Sequence, residues 1–223
     1  MGRFRTEKDQ FILDLCRGKR VLDIGCVNHT LEASHLPDWR HAQIDKVASN
    51  LVGLDYEKEA VQALQAEGWD IVCADAQDFN IRDRYPDGFD VVIASEVIEH
   101  LVNPGGFLCS IRKHLAPGGK VLITTPHAYG FGFSLEVLIW GSEHMNDDHT
   151  ATYSQKNMEC LLRKCGFRVA EFHWLIQDSS QMVMHSSLSS KIVAKLFFWV
   201  QCMAAGLVRS QFSKEMIVVA QSV

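Results

Sequence analysis

Residues 21–30 read VLDIGCVNHT, a short apolar run that ends in an aspartate and a glycine. The apolar residues have the composition of a buried strand, and Gly25 allows a tight turn into the next segment. Free backbone N–H groups at such a turn can hold an anionic ligand group. We therefore predict a strand over Arg20–Ile24 whose carboxyl end forms part of a ligand site.

Similar apolar runs alternate with amphipathic segments along the rest of the chain. The helix-like segments are Glu57–Glu67, Pro104–Leu115 and Asn157–Cys165, and glycine or proline follows each of them. This alternation predicts right-handed crossovers and an α/β fold, with a doubly wound, mostly parallel seven-stranded sheet and helices on both faces. The six further predicted strands are Asn50–Leu54, Asp70–Cys73, Phe89–Ala94, Lys120–Thr124, Arg168–Trp174 and Glu215–Gln221.

Length and composition narrow the classes of function. A chain of 223 residues fits a single domain over 1–223. Its net charge of -5 argues against a nucleic-acid partner. Seven cysteines without a CxxC pair, and an N-terminus without an apolar leader, favour a reducing, cytoplasmic setting. The basic residues Arg3, Arg5 and Lys8 are interpreted as a solvated tail.

Acidic residues follow the second and third predicted strands. Asp55 ends VGLD, where a carboxylate can accept hydrogen bonds from both hydroxyls of a ribose. Asp75 follows the third strand, in position to accept from an exocyclic amine, with Ala76 and Gln77 beside it. Taken singly these signals are weak, since Asp55 also suits a helix N-cap and Asp75 a loop. Their order along the chain carries the information.

In this order the motifs resemble those of the class I S-adenosylmethionine-dependent methyltransferases. The resemblance covers roughly residues 17–175 and is closest to the group with ubiquinone-biosynthesis-type, natural-product and sugar methyltransferases. It implies a Rossmann-like sheet and S-adenosylmethionine as cofactor. The matching segments are VLDIGC, VGLD, CADAQDF, FDVVIASEVIEHL, LAPGGKVLITTPH and HTATYSQKNMECLLRKCGF.

The family pattern also implies a cofactor site by position. Two features of this chain depart from the family pattern. The turn D-x-G-x-G-x-G has Val27 and His29 in place of its second and third glycines, and the stretch between Asp23 and Asp55 is long and contains LPDWRH. The implied contacts are Asp23, Gly25 and Cys26 with the methionine part, Asp55 with the ribose and Tyr56 next to it, Asp75, Ala76 and Gln77 with the adenine, and Ser95 and Glu96 with the sulfonium end.

Histidines beyond the strand ends are candidates for a general base, because a hydroxyl acceptor must lose its proton. We assign this catalytic role to His127 and His149, with loop capping as the alternative for His149. His100 is interpreted as structural and His144 as a loop residue. The carboxylate- and histidine-rich run 143–149 has ligand types for a metal but a spacing that matches no familiar site, so no metal is predicted.

Two segments interrupt the strand–helix pattern, a substrate-loop insert at about 127–154 and an apolar helical insert at about 188–208. Three interpretations of the apolar insert are open: a core or lid helix, a homodimer face through 192–208, or a peripheral membrane anchor through 192–208. The predicted function is O-methylation of a small-molecule or glycan-type acceptor. An N-methyltransferase and an inactive cofactor-binding scaffold stay open, whereas a nicotinamide-dependent oxidoreductase is disfavoured because GxGxxG is missing.

Overall fold

A computed structural model describes residues 3–27, 30–130, 137, 141, 146–175, 213 and 215–223. Its centre is a seven-stranded sheet with the order β3-β2-β1-β4-β5-β7-β6. All seven predicted strands are present, with small differences at their ends. The strands are β1 (Arg20–Ile24), β2 (Asn50–Asp55), β3 (Ile71–Cys73), β4 (Phe89–Ser95), β5 (Leu115–Pro126), β6 (Phe167–Leu175) and β7 (Glu215–Ser222).

The described part of the chain also forms helices between the strands. The three predicted helices are confirmed, and the structure adds a helix at the N-terminus and two short ones between β1 and β2. A 3₁₀ turn over Ile98–His100 follows β4. The α-helices are α1 (Arg3–Cys16), α2 (Leu31–Ser34), α3 (Arg40–Asp45), α4 (Lys58–Ala66), α5 (Pro104–His114) and α6 (Gln155–Lys164).

Pairing within the sheet is mostly parallel, as predicted. β1 pairs in parallel with β2 and β4, and β2–β3 and β4–β5 are also parallel. β7 runs antiparallel between β5 and β6. The carboxyl ends of β1 to β5 therefore lie along one edge of the sheet, where doubly wound folds bind their ligands.

Helices cover both faces of the sheet, and successive strand residues alternate between the two cores. Leu22 packs in one core with Phe107 of α5 and Met158 of α6. Its neighbour Val21 packs in the opposite core with Ile12 of α1. This alternation explains why the strands read as continuous apolar runs, since both faces of each strand are buried.

The N-terminal segment differs from its predicted state. Arg3 to Cys16 form a helix, and the side chain of Lys8 is 12% exposed and pairs with Glu96 and Glu215. A solvated tail is therefore wrong for Lys8, because two carboxylates far along the chain bind its ammonium group.

Most residues of the two predicted inserts lie outside the part of the chain that the structure describes. The apolar insert 188–208, with its proposed dimer or membrane face at 192–208, falls outside the described residues, as do 131–136, 138–140 and 142–145 of the substrate loop. Among the helices described, none has the length and apolar character needed to cross a membrane.

Candidate active site

The turn after β1 is tight and closely packed. Gly25 has a φ of 72°, and a Cβ at this position would lie 2.8 Å from Cγ2 of Val97. Its N–H donates to the Leu54 carbonyl at the end of β2, at 2.8 Å. Glycine is required by the left-handed backbone and by the contact with Val97. The turn thus joins the carboxyl ends of β1 and β2.

Asp55 ends β2 and faces this turn. It is 5% exposed, and its Oδ2 accepts a hydrogen bond from the Val27 N–H at 2.9 Å. Its Oδ1 accepts from the Glu57 N–H at 3.1 Å. Burial raises the pKa of Asp55, which these backbone donors partly oppose. Tyr56, the next residue, is 74% exposed beside the same edge of the sheet.

Asp23 occupies a different environment from Asp55. It is 1% exposed, and its Oδ2 lies 2.9 Å from Nδ1 of the equally buried His41. The indole N–H of Trp39 donates to the Cys26 carbonyl at 2.8 Å. The segment between β1 and β2 therefore folds back to brace the turn. The sequence shows its unusual length, but these two contacts depend on a tertiary arrangement that the motif does not reveal.

Val27 stands where the family turn has its second glycine. It is buried, and its side chain packs in a cluster that contains Trp39, Val61 and Leu64. The side chain thus adds to the core on the helix side of the turn. His29, at the third glycine position, lies outside the described residues.

The segment after β3 is hydrogen-bonded to the start of α5. Oδ1 of Asp75 accepts from the Gln77 N–H at 2.8 Å. Oε1 of Gln77 in turn accepts from the Asn103 N–H at 2.6 Å, just before α5 begins. Ala76 is half-buried between them. Because β3, β2 and β1 are neighbours in the sheet, Asp75, Asp55 and Asp23 belong to adjacent strand ends.

Ser95 and Glu96 lie at the end of β4. Ser95 Oγ lies 2.8 Å from Thr124 Oγ1 and accepts from the Arg40 guanidinium at 3.1 Å. Glu96 has a φ of 57°, unusual for a residue with a side chain, and accepts from Thr124 at 2.8 Å and from Lys8 at 3.2 Å. Lys8 and Arg40 had no motif to indicate them, since each reaches the site from a distant part of the chain.

A buried polar cluster lies beyond β4 and β5. Glu99 is 1% exposed, and neither of its carboxylate oxygens accepts a hydrogen bond of normal geometry. Burial and the nearby Glu96 raise the pKa of Glu99 to about 8. The hydroxyls of Thr125 and Tyr153 are likewise buried without a hydrogen bond. Burial and Glu99 raise the pKa of Tyr153, which indicates that the two side chains are close.

The two predicted catalytic histidines border this cluster. His127 follows β5 and is 1% exposed. Its ring makes edge contacts with Tyr129 and with Trp174, at centroid distances of 5.7 and 4.8 Å. Its backbone forms a bridge with that of Tyr153. His149 meets the ring of His100 edge-on at 4.7 Å.

The side chain of His149 lacks one hydrogen-bond partner. Its Nδ1 is buried without a hydrogen bond, and burial together with His100 lowers its pKa. His144 lies outside the described residues. His100, which is interpreted from the sequence as structural, lies beside the predicted catalytic residue His149.

Comparison with known proteins identifies relatives of this arrangement. A family model described as a methyltransferase domain matches residues 3–171. A ubiquinone biosynthesis O-methyltransferase of Proteus mirabilis is 31% identical over 112 residues, which are 48% of this chain and 42% of that protein. A probable S-adenosylmethionine-dependent methyltransferase of Mycolicibacterium smegmatis is 28% identical over 158 residues, 70% of this chain and 54% of that protein. The chain thus spans about half the length of these curated relatives.

Solved structures share the fold over nearly the whole chain. A SAM-dependent methyltransferase from Archaeoglobus fulgidus superposes with a TM-score of 0.60 at 15% identity, covering 99% of this chain and 96% of that one. At this identity the likeness establishes the Rossmann-like sheet, which agrees with the predicted fold class.

Proposed function

Because the chain belongs to the methyltransferase-domain family, we propose that it transfers a methyl group from S-adenosylmethionine to a hydroxyl oxygen of a small-molecule or glycan-type acceptor. One observation carries the proposal: the acidic and glycine-bearing ends of β1, β2 and β3 are adjacent, and a buried polar cluster follows at β4 and β5. The first group of residues suits the cofactor, and the second suits an acceptor that forms hydrogen bonds.

The described residues fit this cofactor. Gly25 allows the tight turn, and the backbone of Gly25 and Cys26 lies beside the methionine part in this proposal. The buried Asp55 keeps carboxylate lone pairs for the ribose hydroxyls. Val27 leaves room because its side chain packs in the core. In this proposal Asp75, Ala76 and Gln77 border the adenine, Tyr56 lies beside the ribose, and Ser95 and Glu96 flank the sulfonium end.

Asp23 contributes to cofactor binding indirectly in this proposal. Its carboxylate is bound to His41 and buried with it, so we assign it to holding the turn in shape while the turn's backbone meets the methionine part. When bound, S-adenosylmethionine supplies an electrophilic methyl group that passes to the acceptor oxygen, and the protein contributes mainly alignment.

The polar cluster supports oxygen as the methylated atom. A buried group without a hydrogen bond is costly, so Glu99, Thr125 and Tyr153 favour a ligand with several hydroxyls. The relative from Proteus mirabilis is named for O-methylation in ubiquinone biosynthesis, which agrees with this choice.

Two histidines serve the acceptor in this proposal. His127 receives the hydroxyl proton, since it directly follows β5 and is buried next to Tyr153. His149 contacts the same acceptor from the loop before α6. Removal of a general base commonly lowers the rate by about 10²–10⁴-fold. We expect His127→Ala to lower kcat in this range while cofactor affinity stays within about twofold of wild type. His173→Ala serves as the matched control, because His173 is a partly exposed histidine paired with Glu171.

Calorimetric titration with S-adenosylmethionine and S-adenosylhomocysteine tests the cofactor half of the proposal. One site per chain for each compound is the expected result, and no binding of either would overturn it. A panel of hydroxyl and amine acceptors with labelled cofactor tests the other half. Transfer to amines only would make the protein an N-methyltransferase, and binding without transfer to any acceptor would identify an inactive cofactor-binding scaffold.

A further inference from the structure

Three side chains that can bind a metal converge beyond β4. Single ligand-capable atoms of Glu99, His100 and His149 all lie within 4.8 Å of one another. Glu99 and His100 belong to the 3₁₀ turn that follows β4. His149 comes from the loop before α6, about 50 residues later, so the fold and not a local motif brings the three together.

Backbone contacts hold the two segments in this position. The carbonyl of Glu99 accepts hydrogen bonds from the N–H of Thr150, at 2.8 Å, and from its hydroxyl, at 3.0 Å. The same hydroxyl lies 2.8 Å from the Leu101 carbonyl. His149, which directly precedes Thr150, is thereby fixed against the 3₁₀ turn. The approach of its ring to Glu99 is part of the packed structure.

The carboxylate of Glu99 points to a missing partner. Glu99 is 1% exposed and neither oxygen accepts a hydrogen bond of normal geometry, although Thr125 is near. Nδ1 of His149 is also buried without a hydrogen bond. Glu96 cannot neutralise Glu99, because it is itself a carboxylate, whose Oε1 accepts from Lys8 and Thr124. A buried carboxylate is normally paired, hydrogen-bonded or bound to a metal.

His100 is already oriented as metal-binding histidines are. Its Nδ1 lies 3.3 Å from the Asp148 carbonyl, to which it can donate. A hydrogen bond of this kind places the proton on Nδ1 and leaves the lone pair of Nε2 free for an ion. Metal-ligating histidines usually have such a carbonyl or carboxylate partner behind them.

We propose that Glu99, His100 and His149 bind one divalent cation of the zinc class at the acceptor end of the site. Two imidazoles and one carboxylate suit a borderline transition-metal ion, whereas Mg²⁺ and Ca²⁺ favour sites made of oxygen ligands. Three protein ligands also leave a coordination position open, as in catalytic zinc sites.

The open position gives the ion its role, which rests on the proposed methyl transfer. A hydroxyl oxygen of the acceptor occupies that position and its proton becomes more acidic. The proton passes to His127, and the oxygen uses the electron pair of its former O–H bond to bond to the methyl carbon. The bond between methyl carbon and sulfur breaks at the same time, its electron pair stays on the sulfur, and S-adenosylhomocysteine leaves. A polyhydroxylated or vicinal-diol acceptor suits this arrangement best, because a second hydroxyl can bond to Tyr153 or Thr125.

Metal titration of the full chain tests the site without any measurement of activity. After treatment with EDTA and its removal, Zn²⁺ is titrated by calorimetry and Co²⁺ by its visible absorption. We expect one ion per chain, and a tetrahedral or five-coordinate Co²⁺ spectrum. We expect Glu99→Gln and His149→Ala each to weaken Zn²⁺ binding by at least about 100-fold, since even outer-shell partners are worth 10–100-fold.

His35→Ala is the matched control, because His35 forms a histidine–glutamate pair with Glu67 that is largely exposed. It should bind Zn²⁺ like wild type. The proposal is overturned if wild type binds no ion, if both site variants bind as wild type does, or if only His35→Ala loses binding. Should Glu99→Gln fail to fold, His149→Ala alone decides, since its side chain is only partly buried.

The metal site and the methyl transfer can fail separately. Calorimetry with S-adenosylhomocysteine in EDTA shows whether the cofactor site exists without metal. Cofactor binding without Zn²⁺ binding would overturn the metal site alone. Zn²⁺ binding that depends on Glu99, without any cofactor binding, would overturn the proposed function and leave the metal site standing.

Discussion

At the scale of single residues, Asp55 is the residue whose contribution to cofactor affinity can be measured directly. It is nearly fully buried, it ends β2, and it holds the turn after β1 through the N–H of Val27. Asp55→Asn keeps the shape of the side chain but removes the charge that strengthens hydrogen bonds to ribose hydroxyls. Hydrogen bonds to charged groups contribute about 1.5–3 kcal/mol, so we expect affinity for S-adenosylhomocysteine to fall by roughly 10–100-fold.

Calorimetry measures this loss, and Asp14→Asn is its control. Asp14 is an exposed residue of α1, and its side chain accepts hydrogen bonds only from the nearby Gln10 and Arg17 among the contacts described. Its variant should bind the cofactor like wild type. Equal affinity in wild type and Asp55→Asn would remove Asp55 from the cofactor site.

The residues of the site differ in how far the sequence could reveal them. Asp55 and Asp75 follow short apolar runs that are typical of strands, and the carboxyl ends of parallel strands meet at one edge of the sheet, so the order of the motifs predicts that the two residues are neighbours. His41 and Arg40 lie in a stretch without such a pattern, and their bonds to Asp23 and Ser95 arise from tertiary packing. Glu99 was missed as a site residue because its isolation from hydrogen-bond partners exists only in the folded chain.

At the scale of elements, His114 joins α5 to the segment after β3 and makes their contact sensitive to pH. Its Nδ1 lies 2.7 Å from the Ser110 carbonyl, and its Nε2 accepts from the Ile81 N–H at 2.9 Å. The ring stacks on Phe79 with centroids at 4.5 Å. Only the neutral ring can accept the Ile81 N–H, and burial, foremost, lowers the pKa of His114 from its ordinary value of 6.5.

The sign of the pH effect follows from linkage. Below about pH 6.5 the unfolded chain binds a proton at His114 before the folded chain does, so the stabilisation present above this pH is lost as the pH falls. We expect the urea midpoint of unfolding to decrease from pH 7 to pH 5 more steeply in wild type than in His114→Gln. Equal slopes in both proteins would show that His114 does not contribute to the pH dependence of stability.

The strands and α1 show why some elements can be predicted from local sequence and others cannot. Both faces of β1 and β4 are buried, so their apolar runs are continuous and local sequence predicts them. α1 has charged residues over much of its length, and the core contacts described for it lie in its second half, at Ile12 and Cys16. Its position depends on Lys8 and on partners 88 and 207 residues away, which no local pattern encodes.

At the scale of the whole molecule, the ion pairs of Lys8 join the N-terminal helix α1 to the sheet. Its ammonium group binds Glu96 after β4 and Glu215 at the start of β7. Lys8→Met leaves two neighbouring carboxylates without their cation. Breaking a buried pair costs about 3–5 kcal/mol, and because Glu96 is partly exposed and thus screened we expect about 2 kcal/mol.

Urea unfolding measures this cost, and hydrogen exchange locates it. Amides of α1 should exchange faster in Lys8→Met, whereas those of β1 and β4 should keep their protection at matched stability. Lys58→Met, at an exposed lysine of α4, should behave like wild type. Unchanged protection of α1 would mean that its apolar contacts alone hold it on the sheet.

The cofactor site involves the whole fold, so its ligand should stabilise the whole molecule. The ends of β1, β2, β3 and β4 are spread along the chain from Ile24 to Ser95, and they are neighbours only in the folded sheet. An unfolded chain therefore has no comparable affinity. A ligand that binds only the folded state adds about 2.7 kcal/mol at 100 times its Kd. For a domain of this size each kcal/mol raises Tm by about 2–4 °C.

We accordingly expect S-adenosylhomocysteine at 100 times its Kd to raise Tm by roughly 5–11 °C. Each further tenfold increase should add about 3–6 °C, because the stabilising free energy grows by about 1.4 kcal/mol per decade of ligand. NADH at the same concentration should leave Tm unchanged, since the turn after β1 lacks the GxGxxG pattern of dinucleotide sites. A Tm raised by NADH and unmoved by S-adenosylhomocysteine would show that this Rossmann-like sheet serves a nicotinamide cofactor instead.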